Sequence, residues 1–84
     1  MQIVENNKLL DRITINPEIM VGKPVIRSLR ITVEQILKAL AAGVSQDEML
    51  EDYPELEVDD FRAVLLYAAE VICEEQVFEI NGRS

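Results

Sequence analysis

The sequence predicts a mostly α fold, a three-helix, homeodomain-like helix-turn-helix bundle preceded by a short β ribbon. Between residues 30 and 72, apolar residues recur at helical spacing in three successive runs. The first two runs are joined by only Gly43, Val44 and Ser45, the tight glycine-containing turn of a helix-turn-helix unit. Ahead of them, short β-branched stretches alternate with turn residues. The 84 residues are expected to form one domain, with 12–75 as its core and 1–11 and 76–84 peripheral.

Residues 1–12 show no firm period and suit a loosely attached lead-in with at most a turn of helix. Ile13-Thr14-Ile15 alternates as a short strand, and Asn16-Pro17-Glu18 can cap and open a turn. Gly22-Lys23-Pro24 is a turn signal, Val25-Ile26 a second extended piece, and Arg30-Ile31-Thr32 a third. The first and third pieces are expected to pair.

The first helix is expected over about 33–42, with Val33, Ile36, Leu37, Leu40 and Ala41 on one face. Thr32 and Gln35 form its capping box, and Gly43 suits a left-handed exit. Ser45 and Glu48 cap a second, short helix that turns Met49 and Leu50 inward and stops before Pro54. The third helix is expected over about 58–74, with Phe61, Val64, Leu65, Ala68 and Ile72 as its core stripe. Residues 76–80 alternate, and read either as a terminal strand or as the frayed end of that helix.

Composition narrows the function. There is no histidine, so the usual neutral-pH acid–base group and the commonest metal ligand are both missing. With no glycine-rich phosphate loop and no nucleophile beside a base, the expectation is a protein that is not an enzyme and binds no cofactor or metal. The single cysteine, Cys73, reads as a small semi-buried apolar residue and suits a reducing compartment. No apolar run approaches membrane-spanning length and the start lacks a secretory pattern, so the expected location is cytoplasmic.

The net charge of −8 is unevenly placed. Residues 1–38 hold six bases against four acids, and residues 39–84 hold two against twelve. A mildly basic front and a strongly acidic back oppose nonspecific nucleic-acid binding.

The segments Arg12-Ile13-Thr14, Gly22-Lys23-Pro24-Val25-Ile26-Arg27, Arg30-Ile31-Thr32-Val33, Asp52-Tyr53-Pro54 with Leu56, and Tyr67-Ala68-Ala69 carry a resemblance. Together with Pro17 and Gly43, they make the stretch 12–72 resemble domain-of-unknown-function family 433. That resemblance implies a helix-turn-helix fold and an antitoxin, often partnered by a PIN-like ribonuclease toxin. Two departures stand out. Ser28-Leu29 replaces a usual Gly-Thr between the two arginines, and Glu57-Val58 replaces Thr-Pro at the start of the last helix. A glycine would take a positive φ more easily than Ser28.

Lys23, Arg27, Arg30 and Lys38 are the candidate contacts to a nucleic acid or another anion, because converging bases suit phosphate. The competing reading is that the arginines pair with the acids of the back. Eight acids lie between residues 47 and 60 with no base among them. They read as a solvated face, or as a surface that covers a basic partner through Glu51 and Glu55. On the last helix, apolar residues cover about 200° of the circumference, more than a three-helix core needs. Leu66, Tyr67 and Val71 are therefore candidate interface residues, unless residues 76–80 fold back over them.

The expected function is a noncatalytic, homodimeric interaction module. It would be an antitoxin neutralising a PIN-like ribonuclease, with DNA of its own promoter as a second partner and no membrane contact. The alternative is a stand-alone DNA-binding transcriptional regulator.

Overall fold

The computed structural model describes residues 8–83, with side chains described over residues 8–73. Expectations for residues 1–7 and for Ser84 lie outside the described residues. A helical turn over residues 8–10 leads into β1 (Ile13–Thr14), and Leu9 is buried. After a 3-10 turn over Met20–Gly22 come β2 (Val25–Ile26) and three helices: α1 (Val33–Ala41), α2 (Gln46–Asp52) and α3 (Val58–Arg83). The fold is mostly helical with a small antiparallel sheet at its N-terminal side.

The ribbon is ordered differently from the sequence expectation. Strand β1 pairs with β2, with Ile13 opposite Ile26 and Thr14 opposite Val25, and does not pair with residues 30–32. The third extended piece lies on the other side of β2, through a bridge between Val25 and Thr32. The Ile26 N–H donates to the Ile31 carbonyl at 3.0 Å, and the Leu29 N–H to the Ile26 carbonyl at 2.7 Å. Val25 and Ile26 are therefore central, and neither has exposed surface. A hairpin turn at Arg27-Ser28 brings β2 and the third piece together, and local closure costs less than pairing across a longer loop.

Both helix caps read from the sequence are present. The Thr32 hydroxyl accepts from the Gln35 N–H at 3.0 Å, and the Gln35 side chain accepts from the Thr32 N–H at 2.8 Å. Ser45 and Glu48 make the same reciprocal pair at 3.1 and 2.9 Å. Helix α1 closes with Gly43 at φ 93°, while the Gly43 N–H reaches the Leu40 carbonyl and the Val44 N–H the Ala39 carbonyl, a Schellman ending.

The core joins Ile26, Ile31, Val33, Ile36, Met49, Leu56, Phe61 and Val64. Leu37, Leu40 and Leu50 pack at its edge, but Ala41 is exposed. Two further expectations change on α3. The helix runs past residue 74 to Arg83, so residues 76–80 continue it, the helical one of the two readings, and form neither a strand nor a flap over it. Its inward arc centres on Asp60, Val64 and Tyr67. Leu65 lies about 100° from Val64 around the axis, and is 49% exposed. Ile72 shares that outer side and is exposed, Ala68 is half-buried, and Cys73 is exposed rather than semi-buried.

Candidate functional site

Strand β1, the hairpin turn and the start of α3 meet at one ion cluster. Asp60, the third residue of α3, has no exposed side-chain surface. The Arg27 Nε donates to its Oδ1 at 3.1 Å and the Arg27 Nη2 to its Oδ2 at 2.7 Å, a bidentate fork. Arg27 Nη2 also donates to the Glu55 carbonyl at 2.6 Å. From the other side, Arg12 Nη1 reaches Asp60 Oδ1 at 2.9 Å and Glu57 Oε1 at 2.8 Å. The Glu57 N–H donates to Asp60 Oδ2 at 2.8 Å, which serves the open N-terminus of α3 without the usual capping residue.

Burial alone would push the Asp60 carboxyl up. The hydrogen bonds from Arg27, the Glu57 N–H and Arg12 outweigh it and hold the carboxyl below its ordinary value. The same bonds raise both guanidinium groups, Arg12 first through Glu57 and then Asp60, and Arg27 through Asp60.

The four bases expected to converge do not share one face. Arg27 turns to Asp60, which is the competing pairing realised. Lys23 and Lys38 flank Glu34, at 3.3 and 3.0 Å, and hold its carboxyl below the ordinary value, Lys38 more than Lys23. Arg30 is exposed and makes no ion pair among the described residues. It lines a shallow hollow of about 500 Å³ with Pro17, Glu18, Met20, Val21 and Lys23. The rim of that hollow is strained, because Met20 and Val21 hold φ of 51° and 58°. Val21, β-branched, is 91% exposed.

The surface of α2 is acidic. Asp47, Glu51 and Asp52 on α2, with Glu55 after it, are exposed and enter no ion pair among the described residues. Glu48 is spent on its cap. On α3, Leu66 and Tyr67 are half-buried, whereas Val71 is exposed on the rim of a groove of about 380 Å³ with Leu10, Ile13, Ile15, Tyr67 and Glu70. Among the described residues, no three histidine, cysteine or acidic side chains gather as metal ligands, and no helix is long and apolar enough to cross a membrane.

Arg12 and Asp60 are the residues that sequence reasoning missed. A signal was present for Asp60, which stands four residues before Val64 and seven before Tyr67, a single acid in line with an apolar stripe.

The family model described as Protein of unknown function (DUF433) matches residues 13–68. An uncharacterized protein of Sinorhizobium fredii, y4eO, is 38% identical over 56 residues, which make up 67% of this chain and 25% of that protein. The chain matches only about a quarter of the length of that relative. No solved structure matches.

Proposed function

The chain belongs to the family of proteins of unknown function DUF433, and from there we propose that it is a noncatalytic binding module, the antitoxin of a pair whose toxin is a basic, PIN-like ribonuclease. The observation that carries this reading is the unpaired acidic face of α2. In a helix-turn-helix DNA reader the second helix meets the groove. Here that helix presents Asp47, Glu51 and Asp52, which repel phosphate and attract a positively charged protein surface.

The test is coexpression with a PIN-like nuclease encoded beside this chain, followed by titration of RNA cleavage. A stoichiometric complex should form and cleavage should stop. Glu51→Lys with Glu55→Lys should weaken inhibition at least tenfold while leaving the melting curve unchanged. Equal inhibition by the double variant removes the acidic face from the interface, and failure to bind such a nuclease sinks the antitoxin reading.

Promoter binding is the second reading, and Arg30 favours it. Among the described residues Arg30 has no ion-pair partner, and it stands beside Lys23, with Lys38 one helix away. Arg30→Ala should then lower the slope of log affinity against log salt by about one.

A further inference from the structure

We draw no further inference here: the strongest candidate, the apolar groove between β1 and α3 walled by Leu10, Ile13, Ile15, Tyr67 and Val71, is an unpartnered face, and nothing among the described residues shows what covers it.

Discussion

Asp60 is a carboxylate with no exposed surface that stays ionised because four hydrogen bonds converge on its two oxygens. Arg27 supplies two of them in a fork and Arg12 one, so their losses should differ. Removing one partner of a fully buried pair costs about 3–5 kcal/mol. Arg27 keeps a third of its side chain in solvent, so Arg27→Ala should cost about 2–3 kcal/mol and Arg12→Ala less, by urea melts at pH 7. The pH dependence has a definite sign. Asp60 is held below its ordinary value when folded, so its contribution is complete above the unfolded value of about 3.9 and is lost as pH falls through the lowered one. The melting temperature of the natural chain should therefore drop more steeply below about pH 4 than that of Asp60→Asn. Parallel acid limbs would show that Asp60 is not the titrating group.

At the scale of elements, the hairpin turn is where sequence and backbone disagree. Arg27 and Ser28 hold φ of 43° and 63°, and the turn closes with the 2.7 Å bond from Leu29 to Ile26, as in a type I′ turn. Side chains in that region cost about 1 kcal/mol each. Arg27 is kept there by Asp60, and the Ser28 N–H by the Thr14 hydroxyl at 2.8 Å. Ser28→Gly retains that N–H and relieves the strain, so it should stabilise by about 0.5–1 kcal/mol and raise the melting temperature by a few degrees. A lower melting temperature would mean that the hydroxyl of Ser28 has an unseen partner. The helix caps behave differently. Thr32 with Gln35 and Ser45 with Glu48 are complete within four residues, and both could be read from the chain directly.

For the whole molecule, the decisive question is which residues of α3 the small body can cover. Phe61 is fully buried and Leu65 is not. Phe61→Ala should cost about 3–5 kcal/mol, most of the stability of so short a chain. Leu65→Ala should change the single chain by no more than about 0.5 kcal/mol once melts are extrapolated to low protein concentration. Equal losses would contradict this placement of α3. The sequence by itself determined the three helices, their caps, the short turn between α1 and α2, the turn positions and the division into basic and acidic halves, because each signal spans only a few residues or is a simple sum. Only the tertiary structure decided that β2 lies between β1 and residues 31–32, that Arg27 faces Asp60 rather than Lys23 and Arg30, and that Leu65 and Ile72 point away from the core. An apolar arc of about 200° offers several faces of nearly equal hydrophobicity. What chose among them was the need to give a buried carboxylate its two arginines, which come from segments 33 and 48 residues away.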